Sequence, residues 1–149
     1  MNIKQELYNQ CVSFVETRIQ TVQNTIKDIQ KSLTSETKSS AGDKHETGRA
    51  MLQLEREKAG NQLAEIEKTK QILNKVNVDI SANSIGLGSV IYTSQANYFI
   101  AISVGEIKVE NEKFYAISAN TPIGQLLLGN TSGSIITFRG ESFKILNVL

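Results

Sequence analysis

The stretch Tyr8–Leu33, YNQCVSFVETRIQTVQNTIKDIQKSL, decides the first half of the fold. Its apolar residues are separated by alternating gaps of four and three, the a/d spacing of a coiled-coil seam. The seam consists of Tyr8, Val12, Val15, Ile19, Val22, Ile26, Ile29 and Leu33. The pattern predicts one helix from near the N-terminus to about Lys38, on the order of 50 Å long at ~1.5 Å per residue.

A second apolar stripe with the same spacing follows, although two of its positions are charged. It runs through Leu52, Arg56, Ala59, Leu63, Ile66, Lys70 and Leu73. Between the two stripes, residues 35–48 (SETKSSAGDKHETG) are small and polar and include the turn formers Ser, Gly and Asp. Two helices joined by a short turn pack antiparallel, so the sequence predicts a helical hairpin with its tip near residues 39–47.

The chain changes character near Asn77, beyond which glycines become frequent and aromatic residues alternate as in strands. Strands are predicted over 88–94, 97–105, 113–120, 134–140 and 142–149. Residues 120–129 are typical of a short helix, with Thr121 as N-cap, Pro122 at the first helical position and Gly129 past the end. Its leucines are expected to pack on one face of the sheet.

The predicted fold class is therefore α+β. A long antiparallel helical hairpin occupies residues 1–77, and a small antiparallel sheet domain with one short helix occupies residues 78–149.

The formal net charge of +1 gives no global basic field for binding nucleic acid through many phosphates. Cys11 is the single cysteine, which excludes an intrachain disulfide and fits a reducing compartment. No apolar run approaches the ~20 residues of a membrane span, so we expect a soluble cytoplasmic protein.

Two separate stretches resemble the Gre factors, bacterial transcription elongation factors of the GreA/GreB family. Residues 42–47 (GDKHET) resemble the family's Gly-Asp-x-x-Glu-Asn hairpin tip, and residues 117–124 (ISANTPIG) resemble its Ile-Ser-x-Asn-Ser-Pro-Ile-Gly segment. The order and spacing of the two segments agree with the family as well. The chain departs from the pattern at His45, Thr47, Gln125 and Leu126.

The resemblance implies an FKBP-like second domain that docks at the rim of the secondary channel of RNA polymerase, while the coiled coil reaches toward the active centre. Residues Asn120, Thr121 and Pro122 match the docking loop. Asp43 and Glu46 match the tip acids, which would share Mg²⁺ with polymerase and promote cleavage of the nascent RNA 3′ end. The resemblance implies a monomer with no cofactor of its own and no catalytic turnover of its own.

The chemistry of Mg²⁺ makes sense of a carboxylate pair at the tip. Mg²⁺ takes hard oxygen ligands and is often held by only one or two protein carboxylates. Hydrolysis of a phosphodiester favours two metals, one that activates water and one that neutralises the leaving oxygen. Asp43 and Glu46, at spacing i and i+3, can face one point. The same spacing also suits a capping box at a helix N-terminus, and the two roles can coexist.

Basic residues concentrate toward the distal part of the hairpin. They are Lys31, Lys38, Lys44, Arg49, Arg56 and Lys58. One interpretation is a solvated coiled-coil flank, and the other is a guide for the phosphates of extruded RNA, with Lys38, Lys44 and Arg49 as candidates. We expect His45 to be solvated or to make a local contact rather than to bind a metal, because the chain has no second His, and a modest role near phosphate stays open.

Three alternative functions stay open, of which the first and the third are implied only by the resemblance. A secondary-channel regulator would have the same architecture and inhibit or modulate polymerase without cleavage. A coiled-coil adaptor would pair its helices between chains and form a stable dimer. A prolyl isomerase would need an aromatic-lined pocket, which cannot be assembled from the scattered Tyr and Phe positions.

Overall fold

A computed structural model describes the backbone of residues 2–38 and 42–149, and the side chains of residues 2–35 and 47–149. Two long helices come first, α1 (Ile3–Lys38) and α2 (Gly42–Asn74). They are followed by β1 (Val90–Thr93), β2 (Asn97–Ala101), β3 (Gly105–Val109), β4 (Glu112–Ser118), α3 (Pro122–Leu127), β5 (Ile135–Phe138) and β6 (Glu141–Val148). The predicted α+β class is confirmed.

The chain divides into two compact units. One contains residues 15–70, the middle part of the hairpin, and the other contains residues 1–14 together with 71–149. The first turns of α1 and the end of α2 thus group with the sheet. The Gln10 side chain donates a hydrogen bond to the Lys108 carbonyl at 3.0 Å, which ties the start of α1 to β3 within that unit.

The apolar seams are confirmed within the hairpin unit. Ile29, Leu33 and Ala59 are buried and pack with Val22, Ile26 and Leu52. The seam therefore closes between α1 and α2 of the same chain, as an intramolecular hairpin requires. The predicted seam position Lys70 is exposed, and its neighbour Thr69 is half-buried instead. A straight helix has 3.6 residues per turn, so a strict 3.5-residue pattern drifts off the buried face.

The same drift corrects the start of the first seam. Leu7 and Cys11 are fully buried there, whereas the predicted Tyr8 and Val12 are only half-buried. Cys11 is therefore a core residue of this unit. The Asn2 side-chain oxygen accepts a hydrogen bond from the Gln5 amide at 3.2 Å, which satisfies one orphan donor of the first turn of α1.

The first helix ends at the residue where it was predicted to end, whereas the second begins inside the predicted tip. Helix α1 continues to Lys38 and α2 starts at Gly42, so much of the 39–47 segment is helical backbone. The domain boundary that the sequence places near Asn77 stays a prediction.

The strands form one sheet of order β3-β4-β2-β1-β6-β5. Most neighbours are antiparallel, as predicted, but β2 and β4 are parallel, with Phe99 opposite Ala116. The sequence analysis missed β3, a short strand at the sheet edge that turns back into β4. Because β4 inserts between β3 and β2, it is antiparallel to the first and parallel to the second.

Both faces of the sheet are covered. Ile91, Ile100, Phe143 and Ile145 form a core cluster with Leu127 of α3. Side chains alternate between faces along a strand, so the fully buried Val90 and Phe99 belong to the opposite face.

Candidate functional site

The corner between β4 and α3 is built by a hydrogen-bonded Thr121. Its backbone is extended, with φ −67° and ψ 155°, and its hydroxyl accepts a hydrogen bond from the Gly124 amide at 3.1 Å. The same hydroxyl donates to the Ser118 carbonyl at 2.8 Å. Pro122 follows at the start of the helix, where its missing N–H costs nothing. The predicted cap is confirmed, and it anchors α3 to the end of β4.

Gly124 fits the corner because nothing larger can. A Cβ at this position would lie 2.5 Å from the Ser118 carbonyl oxygen and 2.8 Å from the Thr121 hydroxyl. Contact between helix and strand backbone is therefore closer here than any other residue permits. At the other end, Gly129 has a φ of 80° and follows the last residues of α3, as predicted.

The corner presents Asn120 and Pro122 to solvent. Both residues are exposed. The Asn120 backbone is engaged, since its amide donates to the Ser118 hydroxyl and its carbonyl accepts from Gln125. Within the described part of the chain its side-chain amide makes no hydrogen bond, so its donors and acceptor are available to a partner. Of the three predicted docking residues, Thr121 builds the corner and the other two are accessible.

The expectation that the α3 leucines all pack on the sheet is wrong. Leu127 is fully buried, but Leu126 and Leu128 are 41% and 39% exposed. Leu126 and Leu127 are successive residues of the helix and point about 100° apart, so only one of them can face the sheet, and Leu128 has already left the helix with φ −52° and ψ 133°. Leu126 lies one turn beyond Pro122 on the same helix side, which extends the accessible surface by an apolar side chain. The sequence analysis missed this role because it treated the leucines as one group.

The predicted tip acids lie at the start of α2. Asp43 and Glu46 belong to the helical backbone that begins at Gly42, at the i and i+3 spacing. Their side chains, and those of Lys38, Lys44 and His45, lie outside the described residues. Their roles stay predictions. Elsewhere in the described chain, no group of three or more His, Cys, Asp or Glu residues could hold a metal ion.

Three residues of the predicted basic cluster line two different grooves of the hairpin. Lys31 and Arg56 line a groove of about 810 Å³ together with Lys27. The other described residues of this groove are Gln23, Ile26, Gln30, Thr34 and Ser35, so none of its described lining residues carries a carboxylate. Lys58 instead lines a groove that also contains Glu57 and Glu65. Among the described residues of the predicted cluster, Lys31 and Arg56 therefore line a different groove from Lys58.

Arg49, the third predicted RNA-guiding residue, is half-buried in α2 and has interactions within the chain.

Burial raises the pKa of the Cys11 thiol to about 12, so the thiolate form that nucleophilic chemistry requires is suppressed. In the described part of the chain, no helix is long and apolar enough to cross a membrane.

The comparisons with known proteins identify only remote similarity. No protein-family model and no curated protein matches the chain. Among solved structures, the chain is similar to GreA factor homolog 1 (Gfh1) of Thermus thermophilus, at 18% identity over 95% of this chain and 94% of that one, with a TM-score of 0.35. A second structure of the transcription factor Gfh1 matches with the same identity and TM-score and is covered to 92%. At these values no residue role follows from the similarity.

Proposed function

We propose that this protein is a secondary-channel factor of RNA polymerase that stimulates cleavage of backtracked RNA. The observation that carries the proposal is that, within residues 117–124, some residues build the corner and others are exposed at its surface. The residues that build the corner, Thr121 and Gly124, are fixed by local contacts, whereas Asn120 and Pro122 match the family's docking loop and are exposed. Nothing in the fold of the corner requires an asparagine side chain at position 120.

The hairpin supplies the second element of the proposal. Its seam closes within the chain, which favours an intramolecular hairpin over the pairing of helices between chains that an adaptor would use. Asp43 and Glu46 follow the start of α2 at a spacing that allows both carboxylates to face one point. In the proposed complex they supply ligands to a Mg²⁺ ion at the polymerase active centre and orient the attacking water.

A regulator that occupies the channel without stimulating cleavage is the second candidate. The acid pair supports cleavage, while His45 and Thr47, which differ from the family's tip, support a changed tip activity. The two candidates share the docking step and differ only in the step at the tip. One experiment can therefore separate them.

The test adds the purified protein to a stalled, backtracked elongation complex of its own polymerase with labelled RNA. Wild type is compared with the Asp43→Asn, Glu46→Gln double variant. The matched control is Asp28→Asn, Glu67→Gln, which removes two exposed charges elsewhere on the same helices. We expect short RNA products from wild type and from the control, and none above background from the tip variant. Products from the tip variant at the wild-type rate would contradict the tip chemistry.

Docking is measured in the same system. Asn120→Ala is expected to weaken binding to polymerase about tenfold, as loss of a buried interfacial hydrogen-bonding side chain does. Asn83→Ala, an exposed asparagine elsewhere in the unit, is the control. Binding without cleavage by wild type would favour the regulator. Failure of the wild-type protein to bind polymerase would overturn both candidates.

A further inference from the structure

A cavity of about 210 Å³ lies within the sheet unit, between the start of α1 and the segment that connects α2 to β1. Two of its lining residues are cationic, Lys4 and Lys75, and none of the lining residues that the structure describes is acidic. The others are Asn77, Ile80, Ala82, Ser84, Gly86, Leu87 and Ser89. We infer that this cavity is a binding site for a single phosphate group.

Lys4 is the main evidence for an anion. Lys4 as a whole residue is only 7% exposed. Its ammonium donates one hydrogen bond, to the Ile80 carbonyl at 2.6 Å. An ammonium has three donors. No second acceptor for it occurs among the residues that the structure describes. A part-buried charge without a counter-charge among the described residues is unfavourable, and an anion in the cavity would satisfy the remaining donors.

The position of Lys4 on α1 makes its charge more unfavourable still. It is the second residue of the helix, close to the N-terminal end where the helix dipole is positive. Burial lowers the pKa of its ammonium below the ordinary value of 10.5. If only the aliphatic stem of Lys4 were needed for packing, an apolar side chain of the same length would serve at this position. An anion in the cavity offsets both the burial of the charge and its repulsion from the helix end.

The polar groups around the cavity are suited to donate. The Ser89 oxygen accepts a hydrogen bond from the Gly86 amide at 2.9 Å, which leaves its hydroxyl hydrogen free to donate. The Asn77 side-chain oxygen accepts from the Asp79 amide at 2.9 Å, which leaves the amide nitrogen as a donor. The Ser84 hydroxyl and the exposed Lys75 ammonium complete the set. A tetrahedral oxyanion with several acceptor oxygens matches such a set of donors.

The size of the cavity limits the ligand. Pockets for drug-sized molecules begin at about 300 Å³, so this one accommodates a small ion or the end group of a larger molecule. Inorganic phosphate and the terminal phosphate of a nucleotide share the required chemistry. This site goes beyond the proposed function, and its test does not use polymerase, so the two can fail independently.

The experiment titrates the full chain with inorganic phosphate at constant ionic strength and follows backbone amide shifts by NMR. We expect saturable shifts of the residue 84–89 amides. Lys4→Met retains the stem and removes the charge, and it should weaken phosphate binding at least about tenfold. Lys75→Met, at an exposed position, should weaken phosphate binding several-fold. This second variant tests the proposal if Lys4→Met fails to fold. The control Lys144→Met removes an exposed charge from β6 and should have no effect.

A parallel titration with adenosine monophosphate distinguishes the two sources. Equal affinity would assign the site to a phosphate end group, and binding of inorganic phosphate alone would assign it to the free ion. Shifts that chloride reproduces at the same ionic strength, or that persist undiminished in both lysine variants, would overturn the proposal. Absence of saturable shifts in the wild-type protein would overturn it as well.

Discussion

The two compact units of the chain bury their apolar residues in different ways. In residues 15–70 the buried side chains occur singly along two helices, as Val15, Ile29, Leu33, Ala59 and Ile66. In the sheet unit, adjacent strand residues are buried toward opposite faces. A single seam follows from a short repeat in the sequence, whereas a two-sided sheet depends on strands that are distant along the chain. The hairpin is therefore simpler to predict, and the sheet unit holds most of the packing.

The largest expected effect is on the sheet core. Phe99 is fully buried in β2, with Val90 opposite it on β1 and Ala116 opposite it on β4. Phe99→Ala should lower the free energy of unfolding of the sheet unit by about 3–5 kcal/mol, because it removes a large buried ring and leaves a cavity. Urea unfolding measures the change, with Ile135→Ala at a 71% exposed position as the control.

Hydrogen exchange on the same variant tests the division into units. If the units are energetically separate, amides of β1–β6 should lose protection while those of the seam between Val15 and Lys70 retain it. Equal loss of protection throughout would show one cooperative structure and remove the basis of the comparison.

Cys11 gives the sheet unit a distinct dependence on pH. Its pKa is raised from 9.0 to about 12 by burial. Above pH 9 the unfolded chain releases the thiol proton while the folded chain retains it, so stability falls as pH rises toward 12, by up to about 4 kcal/mol. The raised pKa values of Tyr92 and Tyr98 act in the same direction, and the lowered pKa of Lys4 acts in the opposite one.

The contribution of Cys11 to this pH dependence is measured by comparing wild type with a variant that lacks the thiol. Urea unfolding of wild type and Cys11→Ala between pH 8 and 11 should show a shallower alkaline decline in the variant, whatever its stability at pH 8. Parallel declines would mean that the thiol ionises in the folded protein as readily as in the unfolded chain.

The hairpin should respond more weakly to truncation. Ile66 is 5% exposed on α2, and its side chain belongs to a seam rather than to a layered core. Ile66→Ala should cost about 2 kcal/mol, at the low end for such a change, because neighbouring side chains can move into the space from solvent. The matched control is Lys70→Ala at the exposed position once assigned to the seam. Loss of 4 kcal/mol or more would show that the hairpin core is as tightly packed as the sheet.

Local signals account for what the sequence predicted well. Thr121, Pro122 and Gly129 define α3 through the chemistry of its own ends, and the apolar repeat defines the seams. The parallel pairing of β2 with β4 was not predicted because it depends on which strand inserts between two others. The phosphate cavity was not predicted either, since Lys4 meets residues 75–89 only through the fold. The tip acids were found through the family resemblance, and their geometry stays untested.

The smallest expected effect concerns the turn between β5 and β6. Arg139 has a φ of 52° and Gly140 one of 81°, the left-handed pair that a two-residue type I′ turn requires. Asn adopts this conformation more readily than Arg, but the Arg139 guanidinium lies 4.9 Å from the Phe138 ring and gains some cation–π energy. Arg139→Asn should therefore raise stability by only about 0.5 kcal/mol, whereas Arg139→Ala, which loses the ring contact without gaining the turn preference, should lower it. Thermal unfolding of the two variants measures the difference. If Asn and Ala are equally stable, backbone conformation is not what limits this turn, and the ring contact alone determines which residue is best at position 139.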